Sequence, residues 1–311
     1  MHNLLFLIGR VRSKEKDLLK ESDRQRFAEA KDLAAWLRQL NDTVYSEAAG
    51  AQTFEEFENK LNRHMLAIKN DLFGNLKYPF EPLLWKKYDL HNIKIFLKIR
   101  LGYKDLRKYL VPLGEIPVDV LEAYLIKNEK VNLPVAVMAM LRKAQEIFAK
   151  NKDFSKMDTY LDDVYFKELM AEAGKWGEVI EEYFCQQVDQ ANYKAWWYLK
   201  KNERTKLAFI PGGNIKVRFF EISHELSKEQ MINKMLPRVQ SDNYEEATLQ
   251  KEFEDQNSTK LFEQRYPNTG ILPILIYFRA KEMEIKNLKT YYLLKAKGLK
   301  RLTGFLREVY A

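Results

Sequence analysis

The chain has 311 residues, of which 46% are hydrophobic and 31% are charged. This composition excludes a disordered chain, because the apolar side chains suffice for two or three compact helical cores. The formal net charge of +8 would suit nucleic acid, anionic headgroups or an acidic protein as partner, but alternating Lys and Glu residues are equally typical of solvated helices.

Long stretches without helix-breaking residues predict an all-α protein. Only 12 Gly and 9 Pro occur in the whole chain, and the helix-favouring residues Leu, Lys, Glu and Ala fill the segments between them. Residues 54–72, 133–150 and 160–173 are amphipathic and predict helices. Residues 216–222 alternate polar and apolar side chains, which would allow a short strand.

The sequence has no signature of export or membrane insertion. Its longest apolar runs, residues 4–8 and 271–278, fall well short of the ~20 residues that span a bilayer. Basic residues follow the first run, whereas a secretory signal has them in front. Cys185 is the only cysteine, so an intramolecular disulfide is excluded. We therefore expect a cytoplasmic protein.

One helical motif recurs three times with a period near 100 residues. In each copy an acid precedes an Asn by three positions, and an aromatic residue follows the Asn by four. A Lys follows the Asn by two positions, an aliphatic residue by seven and a base by eight. The copies are Asp89, Asn92 and Phe96; Asp189, Asn192 and Trp196; and Glu284, Asn287 and Tyr291.

The spacing of the motif puts its acid, Asn, aromatic and aliphatic residues on one stripe of a helix. A polar pair on a buried stripe costs about 1–3 kcal/mol for each group left without a hydrogen bond. We therefore expect each pair to anchor a loop or a neighbouring helix. The alternative, in which the Asn binds a ligand, suits a threefold repeat less well. The Lys two positions after the Asn lies about 200° away and is expected in solvent.

The repeat predicts three similar helical domains. Residues 111–117 form a Pro/Gly-rich break after the first motif, and residues 211–214 form a turn after the second. Residues 266–270 predict another turn before the third motif, most of it outside the residues that the structure describes. The predicted domains are residues 1–115, 116–220 and 221–311.

The sequence contains no recognisable catalytic, cofactor-binding or metal site. It has no G-x-x-x-x-G-K-[ST] loop, and the glycines of residues 211–214 lack the Lys-Ser/Thr that binds phosphate. The four histidines are isolated from one another and from Cys185, which disagrees with metal-ligand spacing. Adjacent acids such as Asp162 and Asp163 are typical of solvated helix faces. We expect a protein that is not itself an enzyme and holds no cofactor.

Three segments carry a resemblance to a known family. Residues 9–19 (Gly-Arg-Val-Arg-Ser-Lys-Glu-Lys-Asp-Leu-Leu) match an R-x-R…E…L-L opening helix, and residues 40–45 match an L…T…Y element. Residues 281–289 (Lys-Glu-Met-Glu-Ile-Lys-Asn-Leu-Lys) match K-E-x-E-I-x-N-L-R, except that Lys289 replaces a frequent Arg. With these segments the chain resembles the C subunit of V-type (archaeal/bacterial-type) rotary ATPases, the counterpart of the eukaryotic d subunit.

The resemblance implies three helical domains in a pseudo-threefold funnel around a hollow. The family's protein lies peripherally on the cytoplasmic face of the membrane, where it binds the membrane rotor ring subunits and receives the central stalk subunits D and F. It turns with the rotor during ATP-driven or ATP-producing proton or sodium transport, without a nucleotide, metal or membrane span of its own. These properties are our expectations for this chain.

Two other functions stay open at the level of sequence. A basic helical nucleic-acid-binding protein could stack bases on Tyr291, Tyr292 and Phe305, although Tyr291 lies on the buried stripe and no compact nucleic-acid-binding signature is present. A helical hydrolase has only scattered carboxylates in its favour. The bases near these aromatic residues are Lys286, Lys289, Lys295, Lys297, Lys300 and Arg301.

Overall fold

The structure, a computed structural model, confirms the all-α fold class. It describes residues 2–74, 76–103, 106–198, 209–236, 246–265, 270–299, 306–307 and 309. Across these ranges it has thirteen α-helices and no strand. The helices are α1 (His2–Glu15), α2 (Glu21–Glu29), α3 (Leu33–Gln39), α4 (Phe54–Phe73), α5 (Glu81–Arg100), α6 (Val118–Leu125), α7 (Val135–Asn151), α8 (Phe154–Ala173), α9 (Glu178–Tyr198), α10 (Val217–Ile222), α11 (Lys228–Met235), α12 (Glu246–Glu263) and α13 (Leu272–Ala296).

The helices form two compact units. Unit 1 comprises residues 1–77 and 236–311, so that it contains both ends of the chain, and unit 2 comprises residues 78–235. The predicted domain boundaries near residues 115 and 220, and the predicted funnel, stay predictions.

Side-chain caps and prolines explain where several helices begin. Asp32 accepts a hydrogen bond from the Ala35 N–H group at the start of α3, and Thr53 and Asp153 cap α4 and α8 in the same way. Proline occupies the first turn of α5 and of α13, where the missing N–H group would have no helical partner.

The predicted strand at residues 216–222 is wrong, because Val217–Ile222 form helix α10. Alternation over so few residues does not separate a strand from a short helix. A strand would also need a neighbour for its backbone hydrogen bonds, and the described part of the chain offers none. Within this helix Phe220 is fully buried, and its ring centroid lies 5.2 Å from that of Phe209.

In unit 2, helices α5 to α8 share one core. The α5 side of this core includes Phe96, the aromatic residue of the first motif, which is fully buried. The buried members are Ile93, Phe96, Leu97, Leu121, Leu125, Leu133, Leu141, Ala144, Met157 and Leu161.

In unit 1, α13 lies at the centre, and 18 of its 25 residues are buried. Tyr291 on α13 stacks on the buried Trp36 at a centroid distance of 5.9 Å, and Phe27 contacts Tyr291 at 5.7 Å. Phe57 on α4 closes the cluster against Trp36 at 5.6 Å. Because α13 is buried on nearly every side, its polar residues must bind other parts of the chain.

Candidate functional site

The three acid–asparagine pairs lie on α5, α9 and α13, and each Asn binds the backbone of one later residue. Its Nδ2 group donates to the carbonyl of that residue, and its Oδ1 atom accepts from the N–H group of the same residue. All six distances lie between 2.7 and 2.9 Å. Each amide therefore replaces a peptide group as hydrogen-bond partner. The contacts join Asn92 to Val111, Asn192 to Ile210 and Asn287 to Arg307.

The acids of the first two pairs bind backbone N–H groups just before the next helix. Asp89 accepts from Glu115 at 3.0 Å and from Ile116 at 2.9 Å, and Ile116 lies two residues before α6. Asp189 makes the equivalent two bonds, both 3.0 Å, to residues 214 and 215, which precede α10. Burial raises the pKa of Asp189 to about 6, although both N–H groups favour the charged form.

A glycine in each of these loops lets the carboxylate approach. A Cβ atom on Gly114 would lie 2.1 Å from Oδ1 of Asp89, and one on Gly213 would lie 2.0 Å from Oδ1 of Asp189. Any side chain at these two positions would displace the carboxylate. The repeat in the sequence therefore extends from the helix into the loop that follows it.

The sequence contains a signal for these loops that the turn prediction misses. Val-Pro-Leu-Gly-Glu-Ile at residues 111–116 aligns with Ile-Pro-Gly-Gly-Asn-Ile at residues 210–215. Proline and glycine predict only a turn in each segment. The positions of the two segments, 19 and 18 residues after the respective Asn, would identify them as the binding partners of the pairs.

The third pair is completed by the opposite end of the chain. Glu284 accepts a short hydrogen bond from the N–H group of Leu19, which lies two residues before α2. Ile116 has the same position relative to α6. In unit 1, α2 thus corresponds to α6, although it precedes α13 in the sequence where α6 follows α5.

The base eight positions after the Asn supports this correspondence. Arg100 donates to the carbonyl of Leu125, the last residue of α6, at 2.8 Å. Lys295 donates to the carbonyls of Ala28 and Ala30 at the end of α2. In both units the base satisfies the free carbonyl groups at a helix C-terminus, where a positive charge is favoured.

In the first and third copies the Lys two positions after the Asn is not in solvent, which corrects the sequence prediction for these two residues. Lys94 is half-buried and lies 2.7 Å from Asp162 on α8. Lys289 is likewise half-buried and lies 2.6 Å from Glu58 on α4. A helix packed on several sides leaves no open face for this residue, so each Lys binds an acid of the adjacent helix.

The third acid, Glu284, belongs to a buried ion pair. Lys281 and Glu284 are each 1% exposed and 2.9 Å apart. The Tyr45 hydroxyl donates to Glu284 at 2.7 Å, and Lys281 donates to the Asp17 carbonyl at 3.1 Å. Burial and then the Glu284 charge raise the pKa of Tyr45 well above its usual value. Removing one partner from such a pair leaves an uncompensated buried charge.

The three segments that carry the family resemblance meet at Glu284. Leu19 ends the first segment, Tyr45 ends the second, and Lys281 and Glu284 belong to the third. The first two segments lie more than 230 residues from the third in the sequence. Leu19, Tyr45, Lys281 and Glu284 therefore form one buried junction in unit 1.

His64 is part of the same region. Its ring centroid lies 4.7 Å from that of Tyr45, and its Nε2 atom is buried without a hydrogen-bond partner among the described residues. Burial, and next the positive charge of Lys281, lower the pKa of His64 from 6.5 to about 4. The folded protein keeps this imidazole neutral at physiological pH.

A second buried charge cluster of unit 1 centres on Glu254 of α12. Lys286 lies 2.7 Å from this carboxylate, and Arg307 also binds it. Burial opposes the charge of Glu254, but Lys286, Arg307 and Arg279 together hold its pKa well below the usual range. Arg307 therefore binds both Asn287 and Glu254, and it ties the C-terminal segment to α12 and α13.

These contacts disfavour the nucleic-acid-binding alternative. Tyr291 and Tyr292 are 2% and 6% exposed, so neither can stack on a base. Lys286, Lys289 and Lys295 bind acids or carbonyls of the same unit. Lys297 is exposed, and Lys300, Arg301 and Phe305 lie outside the described residues.

The described ranges contain no group of three or more His, Cys, Asp or Glu residues arranged to hold a metal ion. Among the helices of those ranges, none is long and apolar enough to cross a membrane.

Comparison with known proteins gives a consistent result. The family model described as ATP synthase (C/AC39) subunit matches residues 7–301. The C subunit of the A-type ATP synthase of Methanosphaera stadtmanae is 25% identical, with 80% of this chain and 78% of that protein covered. Its equivalent in Thermococcus kodakarensis is 25% identical (94% and 86% covered), and the C subunit of the V-type sodium ATPase of Enterococcus hirae is 20% identical (96% and 97% covered).

Replacing Asn192 with Leu should destabilise the protein by about 1–3 kcal/mol, because the N–H and carbonyl groups of Ile210 lose their partners. Denaturant unfolding of the full chain measures the effect. The exposed Asn70 on α4 provides the control, since Asn70→Leu removes an amide that is not buried. Equal stability of the wild-type protein and Asn192→Leu would contradict an anchoring role.

The Gly213→Ala variant should lose about 1–3 kcal/mol through the clash with Asp189. The same change at Gly9, where a Cβ atom meets nothing within 4 Å, should not destabilise the protein. A double-mutant cycle at pH 8, where Asp189 is ionised, isolates the clash: in an Asp189→Ala background, Gly213→Ala should cost much less. An equal cost in both backgrounds would refute this explanation.

Acid should destabilise unit 1 partly through His64. In the unfolded chain His64 binds a proton near pH 6.5, whereas in the folded protein it does so only near pH 4. The contribution of neutral His64 to the free energy of unfolding is therefore complete above pH 6.5 and is lost as the pH falls towards 4. A His64→Phe variant keeps a ring against Tyr45 but cannot titrate. Its unfolding free energy should fall less between pH 8 and pH 5 than that of the wild-type protein, and parallel pH profiles would contradict the prediction.

Proposed function

The chain belongs to the ATP synthase (C/AC39) subunit family, and on that premise we propose that it is a non-catalytic component of the central stalk of a V-type rotary ATPase. It acts as a socket that couples the stalk subunits D and F to the membrane rotor ring on the cytoplasmic face. The observation that carries the proposal is the match over residues 7–301, because it extends through both compact units.

The geometry of the acid–asparagine pairs agrees with a role in transmitting torque. A socket between two rotating parts must resist shear, and close-packed protein interiors transmit strain because they are hard to compress. Each of the first two pairs ties a loop to its helix at two points, through the amide and through the carboxylate. In unit 1, Glu284 and Arg307 join both ends of the chain to α13.

In this proposal the chain performs no chemistry of its own. Other subunits of the complex hydrolyse or synthesise ATP, and the ring subunits select protons or sodium. The buried acids serve as anchors here: Asp89, Asp189 and Glu284 all bind backbone N–H groups.

Gentle solubilisation of native membranes, with this chain tagged, tests the proposal. The rotor ring, subunits D and F and the catalytic head should co-purify with it in fixed proportions. A tag on the ring provides the reciprocal purification and should recover this chain. If the ATPase is assembled in the same membranes and the tagged chain recovers only nucleic acid or no partner, the proposed function is wrong.

A further inference from the structure

Three helices of unit 2 end at the same place. Arg100, the last residue of α5, donates to the carbonyl of Leu125, the last residue of α6, at 2.8 Å. Tyr103 follows α5 and packs its ring edge-on against Phe154, the first residue of α8, at a centroid distance of 5.1 Å. Because α8 begins three residues after α7 ends, the end of α7 lies there as well. We call this region the tip; it comprises residues 98–103, 125–129 and 148–156.

Two apolar side chains of the tip are exposed. Leu101 is 37% exposed and Tyr103 is 53% exposed, and both lie outside the core cluster of α5 to α8. Phe148 and Phe154, in contrast, pack against that core, and Phe154 also contacts Tyr103 from below. An aromatic and an aliphatic side chain are thus available to a partner.

The tip carries an excess of positive charge. Lys98 pairs with Asp158 at 3.5 Å, but among the described residues none forms an ion pair with the three lysines at the ends of α6 and α7. Two further bases bind a backbone carbonyl and an asparagine oxygen, neither of which cancels their charge. Two acids lie beside these five bases, and one of the acids caps α8. The bases are Arg100, Lys127, Lys150, Lys152 and Lys156, and the acids are Asp153 and Glu129.

The backbone of Lys152 indicates that its side chain is not there for the fold. Lys152 adopts a left-handed conformation directly after α7, with φ 53° and ψ 30°. Its N–H group closes the helix on the Phe148 carbonyl at 2.7 Å, as a glycine usually does. A Cβ atom carries a steric cost in this conformation that glycine avoids. The Lys152 Nζ atom is 5.8 Å from the Phe148 ring centroid, close to the limit of a cation–π contact.

We propose that the tip binds the surface of an anionic membrane, with Leu101 and Tyr103 among the lipid headgroups and the lysines on the lipid phosphates. An anionic leaflet attracts each nearby Lys or Arg, and a Tyr ring suits the boundary between apolar and wet surroundings. Nucleic acid would use ring platforms for its bases, and Leu101 beside Tyr103 offers none. The proposal goes beyond the proposed function, because it concerns lipid and not another subunit.

Vesicle flotation of the purified full-length protein tests the proposal. Vesicles of phosphatidylcholine with phosphatidylglycerol should bind the protein at least about tenfold more tightly at low salt than vesicles of phosphatidylcholine alone. The difference should shrink as salt is added, because salt screens exposed charges. Equal binding to both vesicles, or binding to neither, would overturn the proposal.

Two variants on and after α7 locate the binding site. Lys152→Gly should raise the melting temperature, since glycine fits the left-handed backbone, yet bind anionic vesicles about fivefold more weakly. Lys143→Ala removes the same charge more than two turns earlier, where Lys143 pairs with Glu146, and should bind like the wild-type protein. The proposal fails if Lys152→Gly binds like the wild type, if both variants weaken binding equally, or if Lys152→Gly lowers the melting temperature.

A tryptophan probe reports whether the tip enters the headgroup region. In Tyr103→Trp, vesicles that contain brominated lipid should quench more fluorescence than in the wild-type protein. Val135→Trp provides the control, because Val135 begins α7 at its opposite end and is 78% exposed. Quenching that is equal in the two variants, or no greater than in the wild type, would contradict the proposal.

An acidic protein segment and nucleic acid are the competing occupants of the tip. Fluorescence anisotropy with labelled poly-glutamate and with a single-stranded oligonucleotide tests both. If either one binds, loses affinity in Lys152→Gly, and anionic vesicles do not bind, the tip serves that partner and the proposal is wrong. These experiments use the chain alone, so the tip and the proposed function, which the membrane co-purification tests, can fail separately.

Discussion

The acid and the amide on the buried stripes of α5, α9 and α13 determine how the surrounding segments are arranged. A carboxylate or an amide in a core must be given hydrogen-bond partners, and here the partners are backbone groups of segments that would otherwise be unpaired. The first two carboxylates also require glycine opposite them, at residues 114 and 213. One polar pair thus fixes a helix, a loop and the start of the next helix.

The third pair applies the same constraint across the ends of the chain. Glu284 binds the backbone before α2, and Lys295 binds the carbonyls at the end of α2. In unit 2, Asp89 likewise binds the N–H group of Ile116 just before α6, and Arg100 binds the carbonyl group at the end of α6. The third copy has Glu at residue 284 where the other two copies have Asp. This acid has additional partners, because a buried Lys and a Tyr hydroxyl bind it as well. The stability of α13 therefore depends on residues near the N-terminus.

These features agree with the proposed function, in which the chain transmits force between its partners. The residues that make the family recognisable are engaged in maintaining the fold, which leaves recognition of partners to other surfaces. The bases of α13 that suggested nucleic-acid binding instead neutralise acids such as Glu254 and Glu58.

The sequence by itself determined the helical class, the threefold motif and the burial of its stripe, because composition and a 3.6-residue period are local properties. It could not determine that residues 217–222 are helical, since short alternation is ambiguous, nor that Lys94 and Lys289 pair with acids on neighbouring helices. Only the tertiary structure decided that Leu19 and Tyr45 meet at Glu284. Contacts between residues more than 230 positions apart leave no periodicity in one sequence, because they arise when burial forces each polar group to find a partner in space.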